Sequence, residues 1–179
     1  MKLVIHEVRA FEIAPILEDL SAIMVACVNE GASIGYLTPF GPDDAKAFWT
    51  FVGGTMERGA RRMLIAEIDG TIKGTIQIGL DMPPNGRHRA DIMKLMVDPS
   101  ARKQGIGKAL MLAAEDLARE EHRSLLVLDT AGEDAERLYL ALGYKMSGRV
   151  PDYARSTSGV LEATTIMYKI LDGVDFQAA

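Results

Sequence analysis

The feature that most constrains this chain is the passage from Ala90 to Glu121, where an apolar run, a glycine turn and an amphipathic stretch follow one another without a gap. Ala90 to Val97 reads as a strand, and Asp98-Pro99 stops it. From Gly107 to Glu121, Leu110, Ala114, Leu117 and Ala118 fall on one face with charges opposite, which is the pattern of a helix packed on a sheet. Between them, residues 101–108 read Ala-Arg-Lys-Gln-Gly-Ile-Gly-Lys, with three positive charges and no negative one. Gly105 and Gly107 let backbone N–H groups approach an anion without a Cβ in the way, and the positive end of the following helix draws the same anion. Arg102, Lys103, Gln104, Gly105, Ile106, Gly107 and Lys108 are therefore expected to cradle a pyrophosphate. The plainer alternative is a glycine-capped helix start with solvated cations.

Two familiar phosphate motifs fail on these letters. A Walker A loop needs glycine five residues before Gly107, where Arg102 stands, and a dinucleotide fingerprint needs its third glycine at Leu110. The cationic turn is also local. The chain of 179 residues carries 20 Lys and Arg against 25 Asp and Glu, a formal charge of −5. That balance argues against a surface built to grip nucleic acid. Hydrophobic residues at 48% suffice for one well-packed domain over residues 1–179. The longest apolar run, Ala22 to Val28, is far short of the roughly 20 residues that span a bilayer, so no membrane partner and a cytoplasmic location are expected. The single Cys27 allows no internal disulfide and reads as a small core residue of a helix. His6, His88 and His122 lack ligand spacing, so no metal is expected.

The remaining elements follow from periodicity. Lys2 to Arg9 alternates as a strand, and Pro15 opens a helical pattern through Leu17, Leu20, Met24 and Val28 that ends at Gly31. Residues 31–41, with three glycines and two aromatics, read as an ordered loop. A second helix begins near Pro42 and is weakened by Gly53 and Gly54. Arg62 to Ile68 and Thr71 to Leu80 form a hairpin about Asp69-Gly70, a dipeptide suited to a type I′ turn. Ser124 to Leu128 is a buried strand and Glu133 to Leu142 a helix ended by Gly143. Strands are expected near Tyr144 to Arg149 and Leu161 to Ile170. The order β-α-α-β-β-β-α-β-α-β-β predicts one mixed α/β sheet with helices on both faces.

Arg102-x-x-Gly105-x-Gly107 after such a strand resembles the acetyl-CoA signature of the Gcn5-related N-acetyltransferases, and the element order agrees along almost the whole chain. The resemblance implies that family's α/β fold, a mixed central sheet of about six to seven strands, mostly antiparallel with a central parallel pair and with helices on both faces. Gly31-Ala32-Ser33-Ile34-Gly35-Tyr36, Lys94-Leu95-Met96-Val97, Pro99-Ser100-Ala101-Arg102, Leu128-Asp129-Thr130 and Pro151-x-Tyr153 resemble the tabtoxin-resistance branch of that family. The resemblance implies that the backbone of Leu95, Met96 and Val97 pairs with pantetheine as an added strand. It also implies that residues 103–108 hold the pyrophosphate of acetyl-CoA, and that the N–H of Val97 faces the acetyl carbonyl, where a donor suits a developing oxyanion.

Acyl transfer to an amine needs a neutral nucleophile, although an aliphatic amine with a pKa about 10 is mostly protonated at neutral pH. A group must take that proton, and another must protonate the departing thiolate. Asp129 at the end of its strand and Tyr139 in the following helix suit base and acid by position, and the resemblance gives them the same roles. With an ordinary carboxyl pKa about 3.9, Asp129 acts directly only if its surroundings raise that value, and otherwise acts through water or orients the amine. Its plainer reading is a cap, and Tyr139's is packing with Leu138 and Leu142. The connection between the two is one residue shorter than in the tabtoxin-resistance pattern.

On the acceptor side, Tyr36, Phe40 and Trp49 read equally as walls of the cleft or as core, and His88 and Asp91 are candidate contacts. The expected activity is acetyl-CoA-dependent N-acetylation of a small-molecule amine, such as an amino-acid-like toxin or antibiotic, by direct transfer in a ternary complex. A protein Nα- or lysine acetyltransferase and a noncatalytic acyl-CoA sensor are the alternatives. The chain is expected to be a monomer or a homodimer.

Overall fold

The computed structural model describes residues 2–174. Its elements are β1 (Leu3–Val8), α1 (Leu17–Asn29), α2 (Pro42–Glu57), β2 (Arg61–Ile68), β3 (Thr71–Gly79), β4 (Arg89–Val97), α3 (Ile106–Glu120), β5 (Leu125–Thr130), α4 (Glu133–Ala141), β6 (Lys145–Arg155) and β7 (Leu161–Ile170). The seven strands form one sheet in the order β1-β2-β3-β4-β5-β7-β6. Every pairing is antiparallel except that of β4 with β5. The expected mixed sheet, hairpin and parallel pair are all present. Asp69 and Gly70 both carry positive φ, 49° and 80°, as a type I′ turn demands.

Alternation along the central strands divides the core in two. Leu64, Ile76, Ile78 and Leu126 face Leu110, Met111 and Ala114 of α3. Met63, Ile65 and Met96 face Leu20, Met24, Trp49 and Val52 of α1 and α2. A buried ion pair fastens α3 to the far half of the sheet: Lys169 Nζ on β7 donates to both carboxylate oxygens of Glu115, each at 2.7 Å, and to the carbonyl of Leu142, also at 2.7 Å. With Glu115 only 2% exposed, removal of the lysine would strand a carboxylate away from water.

Three boundaries depart from the periodicity. Pro15 lies in a short 3-10 turn, Ala14–Ile16, so α1 starts at Leu17. Helix α2 runs through Gly53 and Gly54 to Glu57, and a Cβ on Gly53 would make only ordinary contact, 3.9 Å from Ala10 O and Ile13 Cβ, so packing against that segment carries the helix through the glycines. Strand β6 extends to Arg155 instead of stopping at Arg149. Its Pro151 is tolerated because β6 is an edge strand and a register shift lies between Val150 and Ala154, where no ladder hydrogen bond is lost.

Gly74 of β3 holds α3 near the sheet. A Cβ there would lie 2.9 Å from the carbonyl of Met96, 3.1 Å from Leu110 Cδ1 and 3.2 Å from Ile106 Cγ2. Gly74→Ala is expected to lower the unfolding free energy by about 1–3 kcal/mol, read by urea denaturation, as the first turn of α3 is pushed off β3.

Candidate active site

Strands β4 and β5 begin as a parallel pair and then separate. Arg89 pairs with Leu125, Ala90 with Leu126 and Asp91 with Val127, and no pairing follows. On the other side of β4, Gln77 pairs with Met93 but Thr75 with Met96, so β4 holds one residue more than β3 over this interval. The bulge contains Lys94 at φ 51°, a conformation in which glycine is usual. Such a bulge increases local twist and turns the edge of Leu95–Val97 away from β5.

At the end of β4, Asp98 accepts from Ser100 N (2.9 Å) and Oγ (2.7 Å) and pairs with Lys73 (2.8 Å), which fixes the turn. Gly105 caps α3 at φ 81° and ψ 0°, and no side chain caps the helix, whose first turn has no acidic residue. The leading N–H groups of α3 are therefore available to an anion. A Cβ on Gly105 would meet nothing within 4 Å, so it is the backbone conformation that selects glycine there. Gly107 differs, because its Cβ would stand 3.3 Å from Leu138 Cδ2 and it keeps α3 close to α4. Lys103, with φ 61°, Gln104 and Lys108 are exposed around the turn.

Several expected residues take narrower places. Ile106 is 1% exposed in the core, so only its backbone can face a phosphate. Met96 is likewise buried, under α1, while Leu95 and Val97 pack partly against the α3 side. Arg102 is drawn into an ion pair with Glu30 at 3.0 Å. Val97 O accepts from the Cys27 thiol at 3.5 Å, and burial pushes that thiol's pKa up, in keeping with a core cysteine.

Asp129 is exposed at the end of β5 and accepts a hydrogen bond from Thr164 Oγ1 at 3.0 Å. Tyr139 of α4 is 6% exposed. Burial, reinforced by the Asp129 charge, pushes its hydroxyl pKa up to about 12, so it stays protonated across the neutral range. Asp91, half-buried, is raised by burial, lowered by Arg89 and raised again by Asp129. Asp91 is the last residue of β4 paired with β5, and Asp129 stands two residues beyond its partner Val127, so both border one opening, the gap between β4 and β5.

Of the three aromatic candidates, only Tyr36 is partly exposed. Its ring lies 5.9 Å from Lys94 Nζ and 4.8 Å from the ring of Phe40. Trp49 is fully buried and Phe40 only 8% exposed, so both are core: each points into the layer between α1, α2 and the sheet. His88 precedes β4 and accepts at its backbone oxygen from Ser124 and Leu125. It lines a depression of about 520 Å³ with Val127, Ile166 and Tyr168, three residues before Asp91 and hence roughly 10 Å from it along the strand.

Arg61 and Gln77 were not singled out by sequence, and Lys94 entered only within the Lys94-Leu95-Met96-Val97 resemblance. Lys94 Nζ donates to the Ile34 carbonyl at 2.6 Å, and Arg61 Nη1 donates to Gln77 Oε1, also at 2.6 Å. A lysine amid Met93, Leu95, Met96 and Val97 was a visible break in an apolar run. The positions of Arg61 and Gln77 follow only from strand register.

The acetyltransferase (GNAT) family matches residues 21–144 of this chain. An acetyltransferase of that family from Streptococcus pneumoniae superposes with a TM-score of 0.75 at 18% identity, over 95% of this chain and 100% of the other. A Salmonella typhimurium protein assigned as an acetyltransferase and solved with its cofactor acetyl-CoA does so at 0.77 and 19% identity, over 100% and 98%. In sequence, N-acetyltransferase 8F1 of Mus musculus is 34% identical over 88 residues, which is 48% of this chain and 40% of that protein. N-acetyltransferase 8B of Homo sapiens is 35% identical over 88 residues, 48% and 39%. The chain thus matches less than half the length of these mammalian relatives. It belongs to the acetyltransferase (GNAT) family, a family of acyltransferase enzymes. Among the described residues, no helix is long and apolar enough to cross a membrane.

Gly105→Val, which forces a β-branched residue into φ 81°, is expected to raise the dissociation constant for acetyl-CoA about tenfold or more, by isothermal titration. An unchanged constant would remove the turn from the cofactor site.

Proposed function

We propose that this chain moves an acetyl group from acetyl-CoA to the primary amine of a small molecule, by direct transfer with both substrates bound. The observation that carries this reading is the gap between β4 and β5. It leaves one edge of Leu95–Val97 unpaired by β5, puts the uncapped start of α3 beyond the end of β4, and has Asp129, whose charge acts on Tyr139, at its border. The fit to acetyl-CoA rests on this chain's donors. Leu95, Met96 and Val97 offer backbone groups to pantetheine, and residues 103–108 offer N–H groups and the charges of Lys103 and Lys108 to the pyrophosphate.

When bound, acetyl-CoA supplies a thioester carbonyl activated toward amines. The protein's own groups manage protons. Asp129 faces the incoming amine, orients it and receives its proton, directly or through water; being exposed, it can pass that proton on to solvent. Tyr139, held protonated, donates to the departing thiolate. The Thr164 hydroxyl fixes one oxygen of Asp129 and leaves the other for substrate. The likeness of residues 31–36, 94–97 and 128–130 to the tabtoxin-resistance branch supports an amino-acid-like acceptor, and we read the chain as acting in the cytoplasm.

The test is release of CoA thiol from acetyl-CoA over a panel of small amines, amino acids, aminoglycosides and short peptides, with product masses checked. Acetylation of one small-molecule class supports the reading. Turnover confined to peptides, or binding of acetyl-CoA without any turnover, contradicts it. Tyr139→Phe is expected to lower kcat about 100-fold or more while acetyl-CoA affinity is retained. In the wild type, kcat/KM should climb with pH toward about pH 10 as the amine deprotonates. No falling limb should appear below about pH 10, because Tyr139 keeps its proton until about 12.

A further inference from the structure

The floor of the opening on the α1 and α2 side carries charge of both signs. Strand register sets Arg61 beside Gly79 and Gly79 beside Asp91, which is itself paired with Val127 of β5. One pair of positions further on, Gln77 lies beside Met93, and Lys94 follows in the bulge. Asp129 stands two residues beyond Val127 on the same face, as Thr164 and Ile166 do on β7. The floor thus has Arg61 and Lys94 toward β2 and the 31–41 loop, and Asp91 and Asp129 toward β5.

The cations are poorly satisfied. Among the described residues, neither Arg61 nor Lys94 has a carboxylate within ion-pair distance, whereas Arg62, next in sequence, holds Glu7 and Glu121. Lys94 Nζ spends one donor on the Ile34 carbonyl and sits 5.9 Å from the ring centroids of Tyr36 and Phe48. Arg61 has one hydrogen bond, to Gln77, which is 0% exposed and whose amide nitrogen has no partner in the chain. Burial depresses the pKa of both cations, and for Lys94 the nearby Arg61 charge adds to the effect. Two half-buried like charges with donors to spare form a site that an anion would relieve.

Resting on the proposed activity, we infer that the acceptor is a zwitterion of the amino-acid type. Its carboxylate is bound by Arg61 and Lys94, with Gln77 orienting the guanidinium, and its amine is directed between Asp91 and Asp129. The arrangement matches charge to charge at both ends of a small molecule, and it sends the amine to the side of the opening where Asp129 and Tyr139 lie. Arg61 and Lys94 then act as specificity determinants, since an acceptor without an acid group leaves two desolvated cations unpaired.

The test compares α-, β- and γ-amino acids with their carboxamides and their decarboxylated amines. It measures both kcat/KM and thermal stabilisation of the CoA-loaded protein, the second of which needs no turnover. The acid form of a working acceptor is expected to exceed its carboxamide by about 10- to 100-fold in kcat/KM. Arg61→Gln and Lys94→Met should each shrink that ratio toward one, mainly through KM for the acid, while Arg61→Lys recovers part of it. Retained affinity for acetyl-CoA shows that the variants fold. Equal use of acids and carboxamides, a ratio unmoved by both substitutions, or no stabilisation by any amino acid overturns the inference. The absence of turnover, with stabilisation by acids but not carboxamides, would instead refute the activity and leave the acid-reading site standing.

Discussion

A β-strand that loses its neighbour in mid-sheet exposes a row of N–H and C=O groups that no side chain replaces. In this chain that strand is β4, which leaves β5 after Asp91. The bulge at Lys94 gives the separation a local cause, for an extra residue on β4 turns its edge and prevents simple re-pairing. The packing around the gap preserves it. Gly74 lets α3 lie close against β3, Gly107 lets α4 lie close against α3, and the Glu115–Lys169 pair joins α3 to β7. Together these contacts fix where the start of α3 stands relative to the gap.

The electrostatics divide along the same gap. At the start of α3 the donors are backbone groups and exposed lysines, cheap to solvate. Toward β2 and the 31–41 loop, Arg61 and Lys94 are half-buried, as Asp91 is toward β5, and the Asp129 charge acts on Asp91, Lys94 and Tyr139 alike. Asp129 itself is exposed and hydrogen-bonded to Thr164, which fits a group that passes protons between substrate and water. Tyr139 is suited to the opposite task because burial keeps its proton in place.

Much of this was legible in the letters because the signals were local. Asp69-Gly70 announces its turn, Asp98-Pro99 ends its strand, and the Gly105 cap needs only the glycine and the helix that follows. What escaped depends on partners distant in sequence. The bulge at Lys94 exists only relative to the register of β3, and Arg61 meets Gln77 only because β2 and β3 pair as they do. Trp49 shows the same limit from the other side: an aromatic in a glycine-interrupted helix suits a cleft or a core equally, and only the packing of α1 over the sheet places it wholly inside. The run of β6 past Pro151 was hidden because a proline ordinarily argues against a strand, and the edge position that tolerates it is a property of the whole sheet.

The central claim is that the gap between β4 and β5 is the slot for acetyl-CoA. Backbone amide NMR on addition of acetyl-CoA tests it directly. The account predicts that the largest shifts, together with slowed hydrogen exchange, fall on Leu95, Met96, Val97 and the amides of residues 105–108. Shifts confined to the depression bounded by Val127, Ile166 and Tyr168, with the amides of β4 and the α3 turn unmoved, would contradict it.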